Sequence, residues 1–296
     1  MGHVTASTPP RRVLLVSHVH ERARVVRDEF TELLRARGIE IVGEAELERD
    51  RDGGVLLPGG VEIAVVLGGD GTILRAAELV RGHDVPVLGV NLGHVGFLAE
   101  LDEGDVRDAV RQIDERAYDV ERRMTVDVRV VEPDGTVRLG WAMNEASVEK
   151  DAVARMVELA IGVDGRELES FGCDGVVLAT PTGSTAYGFS AGGPVVWPDV
   201  EALLLVPLNA HALFARPLVV GPSSVLEVEL LQRNRGGATM WCDGRRTIHL
   251  APGARVEVRR GAQPVILARL RPGPFTARLV RKFALPVTGW RGEDDT

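Results

Sequence analysis

The first part of the chain alternates short apolar runs with longer amphipathic stretches. Four apolar, β-branched runs have the length of buried strands: residues 13–16, 39–42, 61–67 and 85–90. Three stretches have the composition or periodicity of helices: residues 21–37, 73–80 and 103–116. Strands that alternate with helices are typical of a parallel, doubly wound sheet. We therefore expect an α/β domain over residues 11–120, with a loop at 43–60, preceded by a flexible tail at 1–10.

Beyond residue 120 the hydrophobic pattern changes to a two-residue alternation. Residues 125–130 alternate, Pro133-Asp134-Gly135 forms a turn, and residues 136–141 return, which predicts a hairpin. Glycine turns, among them Asp164-Gly165 and Asp243-Gly244, separate further short strands such as residues 225–231, 256–260 and 265–270. These features predict an all-β second domain, a β-sandwich, over residues 121–272. A helical pattern at 276–283 suggests that residues 273–296 return to the first domain and pack on it.

Composition narrows the class of protein. The chain has 296 residues, 45% of them hydrophobic, which is enough for two packed domains. A net charge of −8 argues against binding to nucleic acid or to an anionic membrane surface. The longest uncharged stretch, residues 202–215, is too short to span a bilayer. The two cysteines form no C-x-x-C pair and the first ten residues lack an apolar run, so we expect no signal peptide and a reduced, cytoplasmic location.

The sequence Gly68-Gly69-Asp70-Gly71-Thr72 joins a predicted strand to a predicted helix. Ligands of open α/β sheets bind at such turns, where glycines permit close backbone approach and the helix start offers N–H groups to an anion. Asp70 is unusual in this position, because it repels phosphate unless a metal ion intervenes or the carboxylate serves as a base. The alternative is structural: Asp70 or Thr72 caps the helix.

The common phosphate-binding and catalytic motifs do not fit. Glycines 89, 93 and 96 lack the G-x-G-x-x-G spacing of a Rossmann fold, and no G-x-x-x-x-G-K-[ST] is present. Residues 188–192 match G-x-S-x-G, but glycine-rich sequence flanks them where a nucleophile elbow needs a strand and a helix. A binding loop is the better interpretation there. His18 and His20 have no third ligand nearby, so the sequence predicts no metal site built from protein side chains.

Two polar segments of the second domain suit a nucleoside. Asn144-Glu145 combines an amide that can read adenine with a carboxylate that can bind a ribose diol, although an ordinary turn is an alternative. Asp174-Gly175 opens an apolar strand that runs into the hydroxyl-rich residues 180–185 and Tyr187. Hydroxyls and backbone groups suit the polar edges of a nucleoside, and a tyrosine suits its flat face.

Taken together, these motifs resemble those of the NAD kinases. The resemblance rests on Gly68–Thr72, Asn91-Leu92-Gly93 with Gly96-Phe97-Leu98, Asn144-Glu145, and the segment from Asp174-Gly175 through Thr180 to Tyr187. The ending at residues 285–290, Leu-Pro-Val-Thr-Gly-Trp, resembles the actinobacterial branch. The similarity covers roughly residues 60 to 290.

The resemblance implies an N-terminal α/β domain, a C-terminal β-sandwich and a homo-oligomer, as a homodimer or homotetramer. It also implies a reaction: transfer of a phosphoryl group from ATP, or from polyphosphate, to the 2′-hydroxyl of the adenosine ribose of NAD, which gives NADP. A divalent ion, Mg²⁺, would neutralise the triphosphate. Two alternative functions are compatible with the same features. The protein could be a lipid or sugar kinase that shares the G-G-D-G turn, or a non-catalytic dinucleotide sensor.

The resemblance also implies residue roles. Asp70 is the catalytic base that accepts the proton of the 2′-hydroxyl. The substrate-binding positions are Gly71, Thr72, Arg75, Asn144, Glu145, Arg155, Asp174, Thr182, Thr185, Ala186, Tyr187, Gly188, Phe189 and Ser190. The chain departs from the family at Arg245, where relatives often carry glutamine.

Overall fold

The computed structural model describes residues 10–18, 20–51, 53–91, 96–99, 101–102, 105–151, 155–271 and 273–287. It divides into two compact units, of which the first combines residues 1–122 with 265–296 and the second comprises residues 123–264. The tail expected at residues 1–10 lies outside the described residues apart from Pro10. Within the described ranges, every helix is too short or too polar to span a bilayer.

The N-terminal part of the first unit follows the predicted alternation of strands and helices. Its elements are β1 (Arg12–Ser17), α1 (Glu21–Arg35), β2 (Glu40–Gly43), β3 (Glu48–Arg49), β4 (Val55–Leu56), β5 (Val61–Leu67), α2 (Asp70–Leu79), β6 (Val87–Asn91), β7 (Leu101–Asp102), α3 (Val106–Glu115) and β8 (Asp119–Arg123). The segment predicted as a loop contains one short 3₁₀ turn (Glu44–Glu46) and the β3–β4 hairpin.

The second unit is almost entirely β-strand. Its elements are β9 (Val126–Val131), β10 (Val137–Ala142), β11 (Glu145–Lys150), β12 (Val157–Val163), β13 (Arg166–Cys173), β14 (Gly175–Ala179), α4 (Tyr187–Ser190), β15 (Leu203–Leu208), β16 (Leu218–Val220), β17 (Val225–Leu230), β18 (Ala238–Cys242), β19 (Arg246–Leu250) and β20 (Arg255–Arg260). The predicted hairpin at Pro133-Asp134-Gly135 is present between β9 and β10.

Two elements return to the first unit at the end of the chain: β21 (Val265–Arg269) and α5 (Phe275–Phe283). The sequence assigned residues 265–270 to the second domain, whereas the structure pairs β21 in parallel with β6. A five-residue apolar strand suits a sandwich and a parallel sheet equally well, so its sequence could not decide between them.

The sheet of the first unit has the order β2-β1-β5-β6-β21-β8, with β7 also paired to β6. The core on one face joins Val13 and Leu15 of β1 to Phe30 of α1. The alternate residues Leu14 and Val16 are fully buried as well. Both faces of the central strands are therefore covered, which confirms the predicted doubly wound sheet.

The second unit contains two six-stranded antiparallel sheets, with the orders β10-β9-β20-β17-β12-β13 and β16-β15-β14-β11-β18-β19. Alternate residues of both sheets share one apolar core; Val128, Leu159 and Val256 come from the first sheet, and Val148 and Leu178 come from the second. This arrangement confirms the predicted β-sandwich.

Candidate active site

The glycine turn after β5 places Asp70 at the first position of a helix. β5 ends at Leu67, Gly69 occupies the N-cap with extended backbone, and α2 begins at Asp70. The alternative in which Asp70 caps the helix is therefore wrong, because Gly69 holds that position. Asp70 lies instead in the first turn, where unpaired N–H groups and the helix dipole favour a carboxylate.

Two backbone amides orient the Asp70 carboxylate. The Phe97 amide donates to Oδ2 at 3.1 Å, and the Leu98 amide donates to Oδ1 at 3.1 Å. Gly96 passes so close that a Cβ atom at that position would overlap Oδ1. Because a carboxylate offers about four acceptor positions, the half-buried Asp70 can still accept a hydroxyl proton from a ligand.

The other predicted residues of the turn have separate environments. Thr72 is buried and Gly71 is exposed. Arg75 donates from Nη2 to the Ser17 carbonyl at 2.8 Å and lies 3.2 Å from the Glu44 carboxylate. Five residues along a helix correspond to a rotation of about 140°, so the structure does not place the Arg75 guanidinium beside the Asp70 carboxylate. It holds Arg75 at the carboxyl end of β1.

In the second unit, a buried carboxylate that the sequence analysis missed organises the loop before β11. Asp243 accepts hydrogen bonds from the amides of Met143 (3.0 Å) and Asn144 (2.7 Å). Its own amide donates to the Glu145 carbonyl at 2.9 Å. The only signal in the sequence was the Asp243-Gly244 pair, which we interpreted as a turn. The structure shows that turn and a second role, which is to fix the backbone of Asn144-Glu145.

A cation supports this carboxylate. Nη2 of Arg246 lies 2.8 Å from Oδ2 of Asp243, and its guanidinium lies 4.3 Å from the ring centroid of Trp141. Burial raises the pKa of Asp243, whereas the Met143 and Asn144 amides and the Arg246 charge oppose that shift. Three hydrogen bonds thus connect residues about 100 positions apart in the chain, and Arg246 supports them from within the turn.

Glu145 is a buried carboxyl group with unused hydrogen-bonding capacity. Burial is the main cause that raises its pKa to about 8, and the nearby Asp243 charge adds to the shift, while the Tyr187 amide opposes it. Within the described residues, Oε2 of Glu145 has no hydrogen-bond partner. Buried polar atoms of native proteins are nearly always paired. Glu145 is therefore suited to bind a hydroxyl group of a ligand.

The raised pKa of Glu145 predicts a pH-dependent stability. Glu145 has an ordinary pKa of 4.5 when exposed and about 8 in the fold, so it takes up a proton on folding between these values. The free energy of unfolding that Glu145 contributes is fully present below pH 4.5. This contribution falls as the pH rises towards 8, by up to ~1.4 kcal/mol per pH unit. We expect Glu145→Gln to become progressively more stable than the wild type, by about 1–3 kcal/mol at pH 8, as measured by urea unfolding.

The control for this prediction is Glu167→Gln, since Glu167 is exposed on β13 of the same unit. This variant should follow the wild-type pH profile. Parallel profiles for Glu145→Gln and the wild type would show that Glu145 is already ionised in the folded protein.

The hydroxyl-rich segment after β14 packs directly on the Asn144 loop. Thr180 donates from Oγ1 to the Met143 carbonyl at 2.6 Å and from its amide to the Asn144 carbonyl at 2.9 Å. Gly183 must be a glycine here, because a Cβ atom would overlap the Asn144 carbonyl. The structure therefore brings together Asn144, Glu145 and the segment that begins at Thr180.

The remaining residues of that segment continue along the same surface. Thr182 accepts a hydrogen bond from Arg123 at 3.3 Å, and Thr185 donates to the Thr182 carbonyl at 3.2 Å. Tyr187 begins α4 and packs against an apolar cluster on the outer face of its sheet, made by Val177, Ala179, Leu204 and Val206. Ala186 precedes α4, and Gly188, Phe189 and Ser190 complete it. Ser190 ends this short helix, with no strand leading into Gly188, so the segment does not form a nucleophile elbow.

Asp174 lies apart from the Asn144 loop, and no hydrogen bond or ion pair between described residues joins Arg155 to that loop. Asp174 forms an ion pair with Lys150 and accepts a hydrogen bond from Asn209 at 2.8 Å, and both contacts lower its pKa. Glu145 pairs with Ala179 at one end of the β11–β14 ladder and Asp174 precedes its other end, roughly 14 Å away at ~3.4 Å per residue. Arg155 is exposed just before β12, and no described residue pairs with it.

No group of three or more histidine, cysteine, aspartate or glutamate side chains among the described residues could hold a metal ion. The rings of His18 and His20 stack with their centroids 4.2 Å apart. The Asn91-Leu92-Gly93 motif and the last three residues of the 285–290 ending lie largely outside the described residues.

Two family models match this chain. The model of the ATP-NAD kinase N-terminal domain matches residues 49–118, and that of the ATP-NAD kinase C-terminal domain matches residues 143–270. NAD kinase 2 of Streptomyces coelicolor is 58% identical over 269 residues, which cover 91% of this chain and 86% of that protein.

Solved structures show the same fold. A yeast NADH kinase complexed with NADH aligns with a TM-score of 0.83 over 96% of this chain and 91% of its own, at 22% identity. An NAD kinase from Archaeoglobus fulgidus in complex with ATP aligns with a TM-score of 0.73 over 92% of this chain and 98% of its own, at 28% identity.

The fold and the two matched domains define the protein as a phosphotransferase that acts on a nucleotide. The chain belongs to the NAD kinase family. It phosphorylates NAD to NADP, and its similarity to the Streptomyces enzyme confirms the actinobacterial resemblance.

Proposed function

We propose that Asp70 is the general base of this NAD kinase and that ATP is its phosphoryl donor. The observation that carries the first part is the orientation of the Asp70 carboxylate by two amides at a glycine turn, with acceptor capacity left over. The ATP donor is supported by the archaeal relative whose structure contains ATP. The acceptor is the 2′-hydroxyl of the adenosine ribose of NAD.

A carboxylate is useful in this reaction because a ribose hydroxyl is a poor nucleophile. As the oxygen of the 2′-hydroxyl attacks the γ-phosphorus, its proton passes to Asp70, and the bond to the leaving ADP breaks. General-base assistance of this kind contributes typically ~10²–10⁴ in rate. Phosphoryl transfer otherwise depends mainly on positioning and on neutralisation of charge. We assign Gly71, Thr72 and Arg75 as the residues of the first unit that bind a substrate of the enzyme.

We assign adenosine binding to the second unit. The Asn144 side chain makes no hydrogen bond to another described residue, and the Glu145 carboxyl has an unpartnered oxygen, so both can bind ligand groups. The surface that continues from Asn144 supplies hydroxyls, backbone groups and two aromatic rings, those of Tyr187 and Phe189. The assigned residues there are Thr182, Thr185, Ala186, Tyr187, Gly188, Phe189 and Ser190, and Arg155 and Asp174 complete the dinucleotide site.

The divalent ion of this proposal, Mg²⁺, enters with the nucleotide. Mg²⁺ keeps several waters and is held mostly by phosphates plus one or two carboxylates. The donor set fits that mode, because the described residues contain no dedicated acidic cluster. Asp70 is assigned to accept the proton, so in this proposal the ion would be held by the phosphates and by water. Bound to the phosphates, the ion would neutralise the triphosphate charge.

Tyr187 provides a test of the adenosine site. We expect Tyr187→Ala to weaken NAD binding by about 1–2 kcal/mol, since an aromatic contact with adenine is lost. Isothermal titration calorimetry with NAD measures this change. The control is Tyr187→Phe, which retains the ring and should retain affinity. If Tyr187→Ala binds NAD as the wild type does, adenine is bound elsewhere.

We further propose that the enzyme is a cytoplasmic homo-oligomer, either a homodimer or a homotetramer. Support for self-association comes from large apolar side chains exposed before and on the edge strand β16: Leu213, Phe214 and Val219. Support for a reducing compartment comes from Cys173 and Cys242, which are both buried and are not joined in a disulfide. Light scattering coupled to size exclusion measures the oligomer.

One assay tests the donor and the base together. The purified enzyme is incubated with NAD and Mg²⁺, and with either ATP or inorganic polyphosphate, and NADP is quantified. NADP with ATP supports the proposed donor, whereas NADP with polyphosphate alone overturns it. The same assay, run with the Asp70→Asn variant, tests the base.

A further inference from the structure

We propose that the C-terminal return of the chain, through Arg269 of β21 and Arg278 of α5, positions the catalytic carboxylate of Asp70. These two arginines hold the residues whose amides orient that carboxylate. The inference rests on the proposed role of Asp70 as the base. It gives β21 and α5 a function beyond completing the fold.

The orientation of Asp70 depends on a short segment far away in the sequence. The amides of Phe97 and Leu98 each donate to one carboxylate oxygen, so the two bonds set both the position and the rotation of the group. Gly96 permits this close approach. If residues 96–98 move, the acceptor oxygens of Asp70 move with them.

The carbonyl groups of the same two residues are held from the C-terminal segment. Nη1 of Arg278 donates to the Phe97 carbonyl at 3.1 Å, and Nη1 of Arg269 donates to the Leu98 carbonyl at 3.1 Å. Thus each residue that binds Asp70 through its N–H is bound by an arginine through its C=O. Charged donors make stronger hydrogen bonds than neutral ones.

The side chain of Phe97 is held as well. Its ring centroid lies 5.9 Å from that of Phe275 and 5.7 Å from that of Phe283, at the two ends of α5. These distances are within the range of favourable aromatic pairs. Arg269 is buried and bonded to Glu121 at 2.6 Å, so it forms a fixed support. Backbone and ring contacts together connect α5 to the Asp70 carboxylate through one intermediate segment.

The test variant is Arg278→Met, because Arg278 is only partly buried on a helix surface and methionine keeps most of its apolar contact. We expect kcat to fall about 10-fold, because a small displacement of a catalytic group is costly. The KM for NAD should change less than about 2-fold, because dinucleotide binding is assigned to the second unit. Arg278→Lys, which keeps a charged donor, should recover part of kcat. The matched control is Arg281→Met on the exposed side of the same helix, with unchanged kcat.

A double variant separates this inference from the proposed base. In the Asp70→Asn background, Arg278→Met should change the residual kcat less than about 2-fold, since a positioning residue cannot act through a carboxylate that is absent. An equal loss in both backgrounds, or an unchanged kcat for Arg278→Met alone, overturns the positioning role and leaves the base intact. A nearly wild-type kcat for Asp70→Asn alone overturns the base, and this inference with it.

Discussion

Replacement of Asp70 by asparagine is expected to lower kcat at least ~100-fold while NAD binding is retained. Asparagine keeps the size of the side chain and one acceptor oxygen, so the contacts with Phe97 and Leu98 are only partly lost. It cannot take up a proton at neutral pH. NADP formation measures kcat, and calorimetric titration measures NAD affinity.

The matched control for this prediction is Asp84→Asn, an exposed aspartate shortly after α2. It should keep the wild-type kcat. If Asp70→Asn loses less than about 10-fold, general-base catalysis at this position is excluded on the magnitudes typical of such groups. A loss of NAD affinity with an unchanged kcat would instead make Asp70 a binding residue.

The elements that local pattern controls were predictable from the sequence. The strand before the glycine turn was expected at residues 61–67 and is observed as Val61–Leu67. The start of α2 was placed three residues late, since the sequence suggested that Asp70 lies outside the helix. With Gly69 as the N-cap, the helix begins at Asp70. Helix propensity alone does not distinguish a helix that begins at residue 70 from one that begins at residue 73.

Features that depend on distant contacts were not predictable. β21 was assigned to the sandwich because its apolar run does not identify the strands beside it, which are β6 and β8. Likewise, the contacts of Arg278 and Arg269 with residues 97 and 98 join positions about 170 to 180 apart in the chain. A hydrophobic or turn pattern describes the neighbourhood of a residue and not the segment that folds against it.

In the candidate site, too, some features were predictable from the sequence and others were not. Asn144-Glu145 and the segment from Thr180 to Tyr187 were identified from composition, and the structure places them together. Asp243, which fixes that arrangement, was interpreted only as a turn residue. Asp243 has a left-handed backbone with φ of 54°, and this alone accounts for an aspartate at the position. The turn therefore gives no indication that the Asp243 carboxylate also binds the distant amides of Met143 and Asn144.

Asp243→Asn is expected to weaken NAD binding about 10–100-fold, or ~1.4–2.8 kcal/mol. Asparagine tolerates the same positive φ, so the turn itself is kept. One carboxylate oxygen becomes an NH₂ group, which cannot accept a hydrogen bond from the amide of Met143 or Asn144. A buried N–H without a partner costs ~1–3 kcal/mol. Arg246 also loses its charged partner. Calorimetry with NAD measures the affinity.

The chain contains a control for the turn chemistry. Asp164-Gly165 has nearly the same backbone as Asp243-Gly244, with an aspartate φ of 53° against 54°. The Asp164 carboxylate also accepts a backbone amide, from Val225 at 2.8 Å, but it is exposed. Asp164→Asn should therefore leave NAD affinity within about 2-fold of the wild type, because water replaces a lost hydrogen bond at an exposed site. If the two substitutions change NAD affinity equally, Asp243 acts only as a turn residue. A loss confined to Asp243→Asn would show that a carboxylate outside the predicted binding set fixes the Asn144-Glu145 backbone for NAD.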